Sequence, residues 1–213
     1  MVKNRKGESR AASISLLGGV LCLDFANTVD WRTSGKPEEI LTGYRDLVDW
    51  GRHVGIVDDR RARGLKRMAT LDAASAAMAF EQAILLREAI YHLFAAVAHG
   101  RRPARHRLAN FNRALLVLLS RTRITPGQDC FEWSWCGGSD AFDSLLWPVA
   151  WSAAQLLTSQ DLTLVRECRG GGCGWLFLDK SRSHRRQWCD MKGCGNRAKA
   201  RRYYERLKSG QSR

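Results

Sequence analysis

Apolar residues recur at three- and four-residue intervals through most of the first 160 positions, and only short runs beyond 120 depart from that period. Leu86, Ile90, Leu93 and Val97 repeat this way within residues 72–99, which predicts one long helix stopped by Gly100. Leu41, Tyr44, Leu47 and Val48 share a face behind Pro37-Glu38-Glu39. A proline and two carboxylates suit a helix first turn, so a helix is predicted over residues 37–53. Residues 58–70 read as a shorter helix. Pro103 restarts another through Leu108, Phe111, Leu115 and Leu118, and Ser139 or Asp140 is placed to cap a fifth over residues 141–159. Residues 121–125 and 131–135 flank Pro126-Gly127, a strand-turn-strand signal. Residues 20–29 are apolar and expected to be buried, but too short for periodicity to separate strand from helix.

After residue 160 the pattern changes to two short apolar strands, residues 161–166 and 175–178, each adjoining a cysteine. Cys168-x4-Cys173 and Cys189-x4-Cys194 are matched pairs with residues 174–188 between them. Two such hairpins can close four thiolates tetrahedrally around one Zn²⁺, with the second pair at the entrance of a final helix, a plan resembling a treble-clef finger. Four cysteine ligands leave no open position for water or substrate, so the metal is expected to be structural and not catalytic. His184 lies between the pairs, but its neighbours Arg182, Arg185 and Arg186 favour a solvated side chain over a fifth candidate ligand. Trp175 and Trp188 are expected to shield the site.

Composition places these elements in a globular protein. The 213 residues are 45% hydrophobic, enough for a core. No run of eighteen apolar residues occurs, and the charged start leads only to a glycine-broken apolar patch without a cleavage site, so a cytoplasmic protein is expected. Seven cysteines are an odd number, and Cys22, Cys130 and Cys136 have no framework spacing, which fits ordinary reduced thiols. No Ser-His-Asp set, glycine-rich phosphate loop or paired-carboxylate motif stands out, and the reading is not an enzyme.

The net charge of +14 is uneven: residues 168–213 hold nine arginines and four lysines against three carboxylates. Such clustering is the footprint of a polyanion partner. Its sign alone does not separate nucleic acid from an anionic membrane; its position on a metal-stiffened element favours DNA, and no membrane partner is expected. At about 100° per residue, Ala200, Tyr203, Tyr204 and Leu207 form one stripe of the last helix, expected to pack on the finger and turn the cations outward. The candidate nucleic-acid contacts are Arg182, Arg185, Arg186, Asn196, Arg197, Lys199, Arg201 and Arg202, with backbone N–H groups at Gly195 and Asn196 available to a phosphate. RNA is favoured instead if Tyr203 and Tyr204 are exposed to stack bases. A protein-interaction module using zinc only as a staple is the rival from another class.

Upstream, Asp24, Asn27, Asp30 and Trp31 form a polar-aromatic group. Asp24, Asn27 and Trp31 are candidate contacts to an unknown small-molecule effector, although helix capping and buried hydrogen bonds explain such a group as well. Arg87-Glu88 reads as a structural ion pair. A homodimer is compatible with the sequence.

The run from Cys168 to Asp179 (CRGGGCGWLFLD), then Ser181-Arg182-Ser183, Arg185-Arg186, Trp188-Cys189 and Cys194-Gly195-Asn196-Arg197, resembles the CGNR zinc finger. Leu23-Asp24-Phe25-Ala26-Asn27-Thr28, the segment 39–50 and Trp147-Pro148-Val149-Ala150 resemble the ABATE domain that commonly precedes that finger in bacteria. The resemblance implies a proposed stress-related transcription regulator whose finger binds DNA. Gly170-Gly171-Gly172 departs toward flexibility and is expected to loosen the first knuckle. The expected fold is mainly α with a small β-hairpin: a basic tail at 1–13, a multihelical domain at 14–160 and a treble-clef-like finger at 161–213.

Overall fold

The computed structural model describes residues 9–135 and 141–210. In chain order the elements are α1 (Leu21–Ala26), β1 (Val29–Asp30), β2 (Glu38–Glu39), α2 (Tyr44–His53), α3 (Asp59–Leu71), α4 (Ala73–Ala98), α5 (Arg105–Leu119), β3 (Thr122–Pro126), β4 (Phe131–Trp135), α6 (Leu146–Leu157), β5 (Val165–Glu167), β6 (Leu176–Leu178) and α7 (Asn196–Lys208). Among the described residues the strands form three two-stranded antiparallel sheets: β1 with β2, β3 with β4, and β5 with β6. A mainly helical body with a small β finger is what the periodicity predicted. The proposed cap at Ser139 or Asp140, the thiol Cys136 and residues 1–8 of the tail lie outside the described residues.

The ambiguous segment becomes α1, which buries Cys22, Leu23, Phe25 and Ala26 and packs between α4, α6 and β6. Six residues close few bonds within the helix, so its ends are satisfied from outside: Cys22 N–H donates to Ser152 Oγ at 3.2 Å, the Phe25 carbonyl accepts from Thr28 Oγ1 at 2.8 Å and the Ala26 carbonyl from Arg32 Nη2 at 3.0 Å. Phe25 meets the fully buried Trp50 of α2 at 4.9 Å between ring centroids. α3 and α4 are capped by Asp58 and Asp72, whose carboxylates accept from the N–H groups of Arg61 and Ser75.

Several expectations change. Pro37-Glu38-Glu39 does not open a helix: Glu38–Glu39 pairs with Val29–Asp30, and α2 starts only at Tyr44. The reason is tertiary, because Glu39 is drawn to the buried Arg87 of α4 by bonds of 2.6 and 2.7 Å. Arg87 also meets Glu88 at 3.0 Å, and Glu88 receives Arg32 at 2.8 Å, so the predicted ion pair is half of a four-residue network fastening segment 28–40 to α4. Residues 9–13 are not a loose tail. Ala11 is wholly buried, Ser9 donates to Asp46 at 2.6 Å and Arg10 pairs with Asp30 at 2.7 Å. Residues 161–164 form a 3-10 turn, so the strand before Cys168 begins at Val165.

The finger is not a separate bead. Val165, Trp175, Leu176, Phe177 and Leu178 belong to the same apolar cluster as α1, α2, α4 and α6. Both halves of the buried Asn27 amide bond to Leu176, Nδ2 to its carbonyl and Oδ1 from its N–H, each at 2.8 Å, as a neighbouring strand would. Leu178 N–H donates to Gly18, Trp175 Nε1 to Val29, Arg32 N–H to Cys173 and Thr33 N–H to Gly172.

Candidate metal centre and basic face

Cys168 follows β5 and Cys173 precedes β6, so the first pair is held by the rungs of one hairpin, with Cys168 N–H donating to Trp175 at 2.8 Å. Cys189 precedes, and Cys194 lies within, a π-turn over Met191–Gly195, capped by the Asp190 carboxylate accepting from Gly193 N–H at 2.7 Å, which runs directly into α7. All four cysteines are buried, and their Sγ atoms lie within 4.8 Å of one another. Cys173 to Cys189 is 3.8 Å and Cys189 to Cys194 is 3.7 Å. A tetrahedron with Zn–S bonds of about 2.3 Å has sulfur edges of about 3.8 Å, so the donor set fits Zn²⁺. Four thiols this close cannot all ionise alone: hydrogen bonding with Cys168 holds Cys173 and Cys189 protonated well above the ordinary thiol range. A divalent cation replaces those protons. The site holds one structural Zn²⁺ on Cys168, Cys173, Cys189 and Cys194.

The sulfurs are themselves oriented. Gly170 N–H and Cys189 N–H donate to Cys168 Sγ at 3.4 and 3.3 Å, and Arg197 Nη2 donates to Cys194 Sγ at 3.1 Å. Such donors stabilise thiolates and fix their direction. The first glycine of the run also has a steric role: a Cβ at Gly170 would stand 2.8 Å from both Cβ and Sγ of Cys194, so the residue is small because the second pair closes over it.

Between the pairs, the fully buried Asp179 organises the loop. Its carboxylate accepts from Ser181 N–H at 3.1 Å, Ser181 Oγ at 2.5 Å and Arg186 N–H at 2.9 Å. Burial pushes its carboxyl up, but these bonds outweigh it and hold the group below the usual carboxylate range. His184 is no ligand; its Nδ1 meets the Asp179 carbonyl at 2.9 Å.

The predicted contact residues divide into two groups. Arg182, Arg185, Asn196, Lys199, Arg201 and Arg202 are exposed around the loop and α7. Arg186 and Arg197 have structural partners. Arg186 donates to the carbonyls of Trp188 and Cys189 and lies over the Phe177 ring at 4.5 Å, while Arg197 joins a thiolate to the Trp31 ring, 4.8 Å from its centroid. The helix entrance offers no spare N–H where one was expected: Gly195 N–H bonds to Asp190, and Asn196 N–H to Gly193 and Met191. The apolar stripe of α7 is not packed. Tyr203, Tyr204 and Leu207 are 56%, 63% and 47% exposed, and α7 has no buried residue, because it projects beyond the finger.

Asp24 and Asn27 are engaged within the fold, and Trp31 borders a cleft. Asp24 accepts from Gly18 N–H at 2.7 Å, Asn27 is spent on Leu176, and Trp31 opens onto the finger. The interdomain role of Asn27 was missed because its partner is 149 residues away. Arg169, inside the knuckle, also reaches the basic face and was not singled out; its only sequence signal is a charge between two ligands.

These features define a helical domain fused through a common core to a structural four-cysteine finger. A family model described as "ABATE: Putative stress-induced transcription regulator" matches residues 19–160, and one for the CGNR zinc finger matches residues 165–207. The chain belongs to the ABATE family and carries a CGNR finger behind that domain. Neither is an enzyme family. No curated protein matches the chain. Among the described residues, no helix is long and apolar enough to cross a membrane.

Proposed function

We propose that the chain is a non-enzymatic, DNA-binding transcription regulator of the cytosol, in which zinc fixes the finger and α7 with the 180–187 loop contacts the phosphate backbone. The observation carrying this is the uncompensated basic surface: Arg182, Arg185, Lys199, Arg201 and Arg202 are exposed, and none takes part in an ion pair among the described residues. Arg197 and Arg186 serve this surface indirectly by holding its two ends against the metal. The helical domain would receive an effector or a second copy of the chain. A groove of about 470 Å³ between α4, α5 and α6, lined by Leu85, Leu86, Val117 and Leu146 with Arg113 beside them, supports an amphipathic effector better than Asp24 and Asn27 do.

Filter retention of duplex DNA across a salt series tests the reading. Neutralising about four phosphates gives a slope of log affinity against log salt of about −3.6. Retention that ignores salt, or none, removes it. The exposure of Tyr203 and Tyr204 favours a second reading, RNA or single-stranded DNA, since exposed rings can stack on unpaired bases. Competition between duplex DNA and single-stranded RNA separates the two.

A further inference from the structure

We propose that the cleft between Trp31 and the finger holds one unpaired nucleoside-phosphate unit, its base against indole and its phosphate against guanidinium. The cleft has a volume of about 350 Å³, and its walls include Trp31, Trp188, Arg169, Arg197, Arg201 and Arg202. That size falls within the small-ligand range, and the lining combines flat aromatic surface with positive charge and hydrogen-bond donors. Both indoles are half-buried, so each has surface to offer.

Charge accounting favours an anion here. Zinc with four thiolates carries two negative charges, and Arg197 answers one of them through Cys194. Among the described residues no carboxylate lies within ion-pair distance of Arg169, Arg201 or Arg202. Arg202 instead stands 5.9 Å over the Trp188 ring. Guanidiniums beside indoles, without an acidic partner, suit a ligand with both a phosphate and a flat ring.

The backbone keeps this arrangement at a cost. Trp31 has φ 52°, a left-handed conformation that a bulky residue rarely adopts. It is held by Ser34 N–H to the Trp31 carbonyl at 2.9 Å and by Arg32 N–H to Cys173 at 3.1 Å. Strain of this kind persists where the surrounding structure imposes it, commonly at a binding site. In the same cleft, a Cβ at Gly171 would collide with the end of the Arg201 guanidinium, so the glycine lets that cation in. A base inside a duplex stack has no free face for an indole, hence the unit is unpaired.

The unit belongs to a nucleic-acid strand or is a free nucleotide, and only the first source rests on the reading above. The test uses full-length, zinc-loaded protein, wild type and Trp31→Ala, Trp188→Ala and Gly171→Ala, each verified to hold one zinc. Calorimetry measures adenosine 5′-monophosphate and ribose 5-phosphate; anisotropy measures one oligonucleotide single-stranded and as duplex. Loss of one stacking indole should weaken the mononucleotide or the single strand by about 5- to 100-fold and leave the duplex within about twofold. Ribose 5-phosphate should bind at least about tenfold more weakly than the nucleotide. Gly171→Ala, which removes no charge, should weaken the same ligands and keeps the test open if a tryptophan variant misfolds. Sensitivity of the strand assigns the unit to nucleic acid; sensitivity of the mononucleotide with neither single strand nor duplex bound leaves the cleft standing and removes the nucleic-acid reading. Strand and duplex binding that both ignore the substitutions, or no binding of nucleotide and strand, overturns the cleft.

Discussion

Asp24 carries a carboxyl into the wall of the helical domain, where it accepts from Gly18 N–H at 2.7 Å. Burial pushes it up from 3.8 to about 6, against the pull of the Gly18 bond and of His53. The folded protein therefore holds this proton more tightly than the unfolded chain, and stability falls as pH rises between about 4 and about 6. Above that window the ionised group costs on the order of 3 kcal/mol. Asp24→Asn keeps an acceptor for Gly18 and removes the charge. It should raise the melting temperature at pH 7.5 and flatten the pH 4–6 slope in calorimetric melting; an unaltered slope refutes the assignment. That Asp24 sits in a polar group near an apolar segment was legible in the sequence. Its desolvation was not, because burial depends on which helices close over residue 24. Asn27 is the sharper case: its amide looks like a cap, and only the arrival of β6 gives it the role of a strand.

The last helix shows what periodicity can and cannot state. The sequence places Ala200, Tyr203, Tyr204 and Leu207 on one face, but a shared face says nothing of what lies opposite, and here Tyr203 and Tyr204 lie open as an edge-on pair 5.8 Å apart. Tyr203→Ser with Tyr204→Ser should shift folding stability by less than about 0.5 kcal/mol in urea denaturation, as for other surface changes. A loss of several kcal/mol would show the stripe to be buried. The cysteine pairs were read without difficulty because a metal needs only ligand spacing and two turns, both local. The start of α2 is not legible locally for the opposite reason, since Glu39 answers to Arg87, 48 residues along the chain.

At the scale of the whole molecule, the boundary near residue 160 divides the chain by family and not by core, because the apolar cluster runs through both parts. Zinc binding in small finger peptides is on the order of 10–16 kcal/mol, comparable to the stability of an entire domain, at about 5–15 kcal/mol. Thermal unfolding should accordingly follow one transition seen alike by helical circular dichroism and buried-tryptophan fluorescence. A strong chelator should lower that transition as a unit. Two separated transitions, with only the finger sensitive to chelation, would contradict the shared core.

The paired bonds between Asn27 and Leu176 make metal affinity a property of distant residues. Whatever steadies the helical body steadies the hairpin carrying Cys168 and Cys173, and by thermodynamic reciprocity the ion steadies the body to the same degree. Asn27→Ala leaves every sulfur in place, yet in competition with a chromophoric chelator it should release zinc at least about tenfold more readily, for a coupling of about 1.4 kcal/mol. An unchanged affinity would mean the hairpin is rigid without its neighbour. With the coupling present, the zinc supply of the cell and the folding of the helical body answer to each other.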